Sequence, residues 1–317
     1  VRILVALGGN ALAREGERGT WDEQAANARV IAGGLAALHA AGHDVVVTHG
    51  NGPQVGTLAV QQHGRRDTPA LPLDALVAMT QGQLGYLLQQ ALSEVAPHLP
   101  TVAVVTRVLV DRDDPAFGNP TKPIGPYYGE AEALQLAERN GWHVAEDAGR
   151  GWRRVVPSPA PREVLEFAAV RALAGSGALV MAGGGGGVPV ARDGGRLHGV
   201  EAVIDKDRTS LVLARAAACD MLLMVTGVPR VALDFGTRWQ RDVPWLTVGQ
   251  ARRHLGEGEF PPGSMGPKVE AGAAFAADGG RAVITSGERM LAAVAGEDGT
   301  WIVPDGAAAP ALTTVAA

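Results

Sequence analysis

Strands that empty one after another into glycine-rich turns, with helices between them, constrain this chain more than any other feature of its sequence. Residues 1–7, VRILVAL, form a short apolar run closed by Gly8-Gly9-Asn10, and residues 44–48, DVVVT, run into His49-Gly50-Asn51-Gly52-Pro53. A short apolar run bounded by turn residues is the pattern of a buried strand. Between the two, Thr20 and Glu23 have capping-box spacing ahead of a helical stretch to about residue 41, which stops at Gly42. Both glycine turns would therefore face one edge of a parallel sheet, the edge where open α/β sheets hold ligands.

The rhythm continues with helical stretches at 54–62 and 73–95 and a β run of Val, Thr and Leu at 101–110. It falters from 111 to about 157. The segment DRDDPAFGNPTKPIGPYY is too rich in Pro and Gly for a core, residues 130–139 make one short helix, and 142–156 read as a ribbon turning at 149–151. This is the pattern of a lid protruding over the sheet edge; an inert insertion would share it. Alternation then resumes: helix 162–174, strand 178–182 running into Gly183 to Gly187, helix 209–218, strand 221–226, helices 247–255 and 268–277, strand 281–285, helix 288–294 and strand 300–303. Such repetition implies an α/β fold with a largely parallel sheet covered on both faces. No internal repeat and no biased linker forces a domain cut.

Only three of the 28 basic residues are lysines, Lys122, Lys206 and Lys268, and each sits in a segment dense in Gly, Pro or acidic residues. A chain that otherwise uses arginine has little need of lysine for solubility, so these positions suit a compact ammonium, with phosphate the expected partner. The formal charge of -5, with no basic block, argues against nucleic acid. Cys219 is the only cysteine, so an internal disulfide is impossible and a reducing compartment is the simpler expectation. No apolar stretch is long enough to span a bilayer and the first residues lack the basic leader of a secretion signal, which makes a cytoplasmic protein without membrane contact the expectation.

Glycine turns and helix starts supply backbone N–H groups that, with lysines, neutralise a phosphoryl group in transfer. The candidate places are Gly8-Gly9, Gly50 and Gly52, Gly183 to Gly187, and Gly266 with Lys268. None is a Walker A loop, because Val269 follows Lys268, and none opens a helix with the dinucleotide-binding Gly-x-Gly-x-x-Gly. Asp205-Lys206-Asp207 precedes a helix, where a carboxylate can direct the ammonium; the same residues would also serve as an N-cap and first-turn acid. No His/Cys cluster has metal-ligand spacing, so no protein-held metal is expected, whereas magnesium carried on a nucleotide's phosphates needs no such cluster. His49 suits structural hydrogen bonding better than base catalysis, since an anionic acceptor needs no base.

Gly8 to Leu12 (GGNAL), His49 to Gly56 (HGNGPQVG), Lys122 to Gly125 (KPIG), Val156 to Pro161 (VPSPAP), Gly199 to Asp207 (GVEAVIDKD) and Gly263 to Val269 (GSMGPKV) occur in order over nearly the whole chain. Together they resemble the carbamate kinases of the amino acid kinase family. The resemblance implies a three-layer αβα sandwich around a mostly parallel eight-stranded sheet, and a homodimer. It implies a carbamate or carbamoyl phosphate lobe at 1–205, with a protruding subdomain at about 111–157, and a nucleotide lobe for ATP or ADP with magnesium at 206–317. The reaction would be reversible transfer of the γ-phosphoryl group of MgATP to carbamate, serving ATP synthesis from carbamoyl phosphate in arginine or related nitrogen catabolism. On this resemblance Gly8, Gly9, Asn10, Gly50, Asn51 and Gly52 hold the carbamate and the phosphoryl group. Lys206 and Lys268 bracket that group, Asp207 orients them, and Lys122 reaches in from the protruding segment. Thr226, Gly227, Ser264, Met265 and Gly266, with Lys268, face the nucleotide. The chain departs from the family pattern at Gly227 to Arg230 and at Gly287-Glu288, both on the nucleotide side. Other kinases of the same fold, acting on a different small carboxylate, and a non-catalytic sensor on the same scaffold are the competing readings.

Overall fold

Eight strands make the central sheet: β1 (Arg2–Leu7), β2 (Asp44–His49), β3 (Thr101–Ala103), β4 (Leu179–Met181), β5 (Met221–Thr226), β6 (Trp245–Thr247), β7 (Arg281–Ser286) and β8 (Thr300–Val303). Their order is β6-β8-β7-β5-β1-β2-β4-β3, and every pairing is parallel except β7 with β8. These coordinates are a computed structural model that describes residues 1–14, 16–63, 69–147, 149–261 and 263–307, with side chains described for all of them except Asn10 and His63. The helices are α1 (Gly9–Leu12), α2 (Trp21–Ala40), α3 (Gly52–His63), α4 (Leu73–Val95), α5 (Glu130–Asn140), α6 (Phe167–Gly175), α7 (Lys206–Ala216), α8 (Val248–Gly256), α9 (Met265–Ala277) and α10 (Met290–Val294).

Side chains of successive strand residues point to opposite faces, and both faces of β1 are apolar. Ile3, Val5 and Leu7 join the core formed with α2, α4 and α10, while Leu4 and Ala6 join the core formed with α6, α7, α8 and α9. The result is the expected αβα sandwich. α2 starts where the capping box predicts: Glu23 N–H donates to Thr20 Oγ1 at 3.3 Å, and Thr20 N–H donates to Glu23 Oε2 at 2.8 Å. In register, Leu7 lies opposite both Val225 and His49, so the turns that follow β1, β2 and β5 emerge side by side.

Residues 101–110 are not one strand. β3 ends at Ala103, and Arg107–Val110 joins a second, four-stranded sheet with Pro161–Val164, Val188–Asp193 and Arg196–Gly199. At the break Gln81 of α4 accepts from Thr106 N–H at 2.7 Å and donates to Thr106 O at 3.1 Å, an oxygen that also accepts from Val188 N–H at 2.8 Å as the chain passes to the second sheet. The predicted helix at 162–174 likewise begins only at Phe167, because Pro161–Val164 pairs with Arg107–Val110. The glycine pentad leads into the hairpin Val188–Asp193 and Arg196–Gly199.

The segment that breaks the rhythm forms its own three-stranded sheet, Lys122–Tyr128, Trp152–Val156 and His143–Glu146, with α5. Lys122–Tyr128 is an edge strand, which is why Pro123 and Pro126 are tolerated in it. Contrary to the expectation that this stretch avoids the core, Ile124 is fully buried in a cluster with Val55 and Val77. It is seated by a contact of bare backbones, for a Cβ added to Gly56 would stand 1.9 Å from Gly125 N. Trp245 lies in β6 and packs on the core, while Trp239 is exposed. Among the described residues no helix is long and apolar enough to cross a membrane.

Candidate active site

Three turns meet at the carboxyl edge of β1, β2 and β5. Gly8 N–H donates to Val225 O at 2.9 Å and Gly50 N–H donates to Leu7 O at 3.1 Å, which stitches the turns to each other. Gly50 has no room for a side chain: a Cβ there would lie 2.8 Å from Gly9 Cα, 2.9 Å from Gly9 N and 3.5 Å from Lys206 Cδ. Gly50→Ala is therefore expected to push the two turns apart and cut turnover by at least about 100-fold, the scale of misplacing reacting groups by ~1 Å. Steady-state kinetics of that variant at wild-type activity would contradict the close packing. Above Gly9, by contrast, a Cβ would meet nothing within 4 Å, so that side of the turn is open.

The side chains behind these turns serve support. Asn51 is buried and donates from Nδ2 to Thr80 Oγ1 at 2.8 Å, which anchors its amide to α4. The glycine pentad, a candidate phosphate turn, is packed against the same supports: a Cβ on Gly184 would meet the His49 ring at 2.4 Å, and one on Gly185 would meet Asn51 Nδ2 at 2.2 Å. Burial pulls the His49 imidazole down to about 4, against the hydrogen bond to Gly50 O and with the Lys206 charge helping. His49 is thus neutral near pH 7, in keeping with a structural hydrogen bonder.

α7 begins at Lys206 because Asp205 caps it, its Oδ1 accepting from Asp207 N–H at 2.9 Å and Arg208 N–H at 3.4 Å. The helix is fixed to β2 by Ser210, whose hydroxyl lies 2.6 Å from Thr48 Oγ1 and donates to Lys206 O at 2.7 Å. Lys206, Asp207 and Lys268 are only 7%, 3% and 7% exposed. Lys206 Nζ donates to Asp207 Oδ1 at 2.6 Å, and Lys268 Nζ, from the first turn of α9, donates to Asp207 Oδ2 at 3.3 Å and to Ser264 O at 3.0 Å. One carboxylate thus spreads its two oxygens between two ammoniums on different helices. Lys122, from the protruding sheet, ion-pairs with Asp205. All three lysines of the chain converge here.

Among the described residues three ammoniums here face two carboxylates, which leaves one positive charge uncompensated in a largely dehydrated place, an arrangement that suits an anion. Burial pulls Lys206 down to about 8, with Asp207 resisting and Lys268 adding to the fall. Burial alone would raise Asp207, yet Lys206 and Lys268 outweigh it and hold the carboxyl below the usual range. If the charged ammonium is the working form, kcat/KM falls as pH rises through about 8. A profile that stays flat to about pH 10 would remove Lys206 from that role.

Of the other residues predicted for the site, Thr226 sits beside Gly8, whose Cβ direction ends 3.8 Å from Thr226 Cα, and Gly52 opens α3 with its Cβ direction 3.8 Å from Pro123 O. Asn10 lies in α1, and its side chain is outside what the structure describes. Ser264 is the exposed residue before α9, Gly266 is buried in its first turn, and Met265 packs partly on the core. Gly227 is exposed beyond β5 and is tied to none of the lysines. Asp205, named with Lys206 and Asp207 as a carboxylate that could direct an ammonium or cap the helix, does cap it, and the ammonium that its other oxygen meets is that of Lys122, a partner the sequence did not indicate.

Among the described residues no group of three or more His, Cys, Asp or Glu side chains could hold a metal ion, and both carboxylates at the site are taken by ammoniums. Cys219 lies at the amino end of β5, the sheet edge opposite the lysines, with its thiol pushed up to about 12 by burial. Thiol-specific alkylation is expected to leave turnover unchanged, and inactivation in step with labelling of Cys219 would contradict this.

Comparison with known proteins points the same way. The Amino acid kinase family model matches residues 1–286. A carbamate kinase of Pyrococcus horikoshii is 46% identical over 314 residues, covering 96% of this chain and 99% of that protein. Carbamate kinase from Giardia lamblia bound to citric acid superposes with a TM-score of 0.91 at 40% identity, covering 96% of this chain and 98% of that one. Carbamate kinase from Giardia lamblia bound to AMP-PNP superposes with a TM-score of 0.87 at 39% identity, with the same coverage of both chains.

Proposed function

The chain belongs to the amino acid kinase family, and on that premise we propose that its site moves the γ-phosphoryl group of ATP to carbamate and, in reverse, that of carbamoyl phosphate to ADP. The observation that carries the reading is the buried Lys206–Asp207–Lys268 bridge at the edge where the turns after β1, β2 and β5 converge. In the forward direction a carbamate oxygen forms a bond to the γ-phosphorus as the bond to the β,γ-bridging oxygen breaks and ADP leaves. Carbamate is already an anion, so no side chain has to remove a proton. What the protein supplies is position and a preorganised positive field.

Lys206 and Lys268 meet the transferred group, and Asp207 aims both ammoniums and keeps them charged. The turns at Gly8, Gly9 and Asn10 and at Gly50, Asn51 and Gly52 present backbone N–H groups to the carbamate and the phosphoryl oxygens, with the N-terminus of α3 behind them. Lys122 comes from the protruding sheet to close the anion's third side. Thr226, Gly227, Ser264, Met265 and Gly266 border the nucleotide, so residues 1–205 serve carbamate and residues 206–317 serve ATP or ADP. Magnesium held by the nucleotide's phosphates would neutralise part of their charge. Exposed Met79, Tyr86 and Val105, near the sheet-edge strand β3, suit contact with a second copy, in keeping with a homodimer. A cytoplasmic place in nitrogen catabolism is in keeping with the lone, inert cysteine.

The test follows phosphorus by NMR in the forward direction, with MgATP and ammonium carbamate, and with acetate, aspartate or N-acetylglutamate as rival acceptors. The expected result is carbamoyl phosphate from carbamate and no acyl phosphate from the others. Preferential phosphorylation of a rival would assign the site to another acceptor.

A further inference from the structure

Asp205 touches both halves of the lysine array, and nothing in the proposed chemistry yet uses it. Its Oδ1 accepts the two N–H groups that begin α7, and its Oδ2 accepts Lys122 Nζ. The pair is partly buried, with side-chain exposures of 26% for Lys122 and 14% for Asp205, so it is shielded from the screening that weakens surface pairs. The strand that carries Lys122 is otherwise seated by the Gly56–Gly125 backbone contact and buried Ile124, both of which hold the strand and not the ammonium at its start. A lysine has four rotatable carbons and a strongly hydrated head, so only a fixed acceptor gives Nζ a direction.

We infer that Asp205 is a positioning residue for phosphoryl transfer: one carboxylate joins the lysine of the protruding sheet to the start of the helix that carries Lys206 and Asp207. This rests on the phosphoryl-transfer reading above. An incoming anion meets Lys122 already turned toward the position of Lys206, and the protruding sheet is tethered to the body at the point where substrate binds. Burial would raise the Asp205 carboxyl, but Lys122 and then Lys206 outweigh it and hold it well below the usual range, so the tether stays charged across the working pH range.

Asp205→Asn separates the two jobs, because asparagine caps a helix as well as aspartate does but offers Lys122 no charge. The expected result is a fall in kcat on the order of 100-fold, the scale of misplacing a group by ~1 Å. KM for carbamoyl phosphate should stay level or fall, since a negative charge has left an anion site. In a Lys122→Ala background Asp205→Asn should cost no further kcat, because the two residues act as one unit. Multiplying effects in that double variant, or unchanged kcat in the single one, would overturn the inference.

Amide hydrogen exchange gives a readout that needs no substrate. Asp205→Asn should speed exchange at the start of the strand, at the Lys122 N–H, while leaving 124–128 and the first turn of α7 as protected as before; unchanged exchange at Lys122 would also overturn the inference. Wild-type protein that fails to turn over carbamoyl phosphate while this exchange result holds would instead count against the phosphoryl-transfer reading alone.

Discussion

Lys206→Met is expected to lose turnover by about 100- to 1,000-fold or more, the cost of removing one preorganised group that meets developing charge, while its folded stability stays level or rises. The two halves of this expectation have one cause. The protein holds the ammonium 7% exposed, and burial pulls its pKa down to about 8 from the 10.5 of an ordinary lysine. In that interval the unfolded chain binds the proton and the folded chain does not, so stability rises with pH between about 8 and 10.5, and below it the buried charge carries a desolvation penalty. Methionine removes the charge and the penalty and leaves Asp207 with Lys268 as a neutral pair. Urea unfolding at pH 7 alongside steady-state kinetics checks both halves. An active variant, or an inactive one that has also lost several kcal/mol, would count against a lysine kept for charge and not for packing.

Asp207→Ala is expected to do the opposite to stability. It strands Lys206 and Lys268 together behind the turns, with only Asp205 acting on Lys206, and removing one partner of a buried ion pair costs about 3–5 kcal/mol. An anion that enters the vacated place should restore part of this, so sulfate should raise the Tm of the variant more than that of the wild type. Asp207→Asn, which keeps the shape, should show the same sulfate dependence if the alanine variant does not fold. Both variants should be inactive, because the two ammoniums lose their common aim. A variant as stable as wild type without sulfate would mean that Asp207 does not compensate the lysines.

Much of this was legible in the chain because the signals are local. VRILVAL and DVVVT declare strands buried on both faces, the glycines after them declare the edge, and Thr20 with Glu23 declares the start of α2. The lysines stand out because arginine fills the other basic positions, and they do converge. What stayed hidden depends on partners distant in sequence. The β-rich run at 101–110 gives no hint that it divides between two sheets where Gln81, 25 residues upstream, bonds Thr106. Prolines disguised Lys122–Tyr128 as loop, since nothing local says the strand lies at an edge. Nothing in the glycine pentad itself tells that His49 and Asn51 take up the room a side chain at Gly184 or Gly185 would need. Asp205 read as a cap or as a guide for the adjacent Lys206, whereas its other oxygen answers to a lysine 83 residues away.

The most direct measurement of the central claim is ATP formation from ADP, magnesium and carbamoyl phosphate by the wild-type protein, beside Lys206→Met and Lys268→Met, with acetyl phosphate as the comparison donor. The account predicts rapid ATP synthesis from carbamoyl phosphate by the wild type, little from acetyl phosphate, and a collapse in both variants with the fold intact. Equal rates from the two donors, or full activity in either variant, would contradict it.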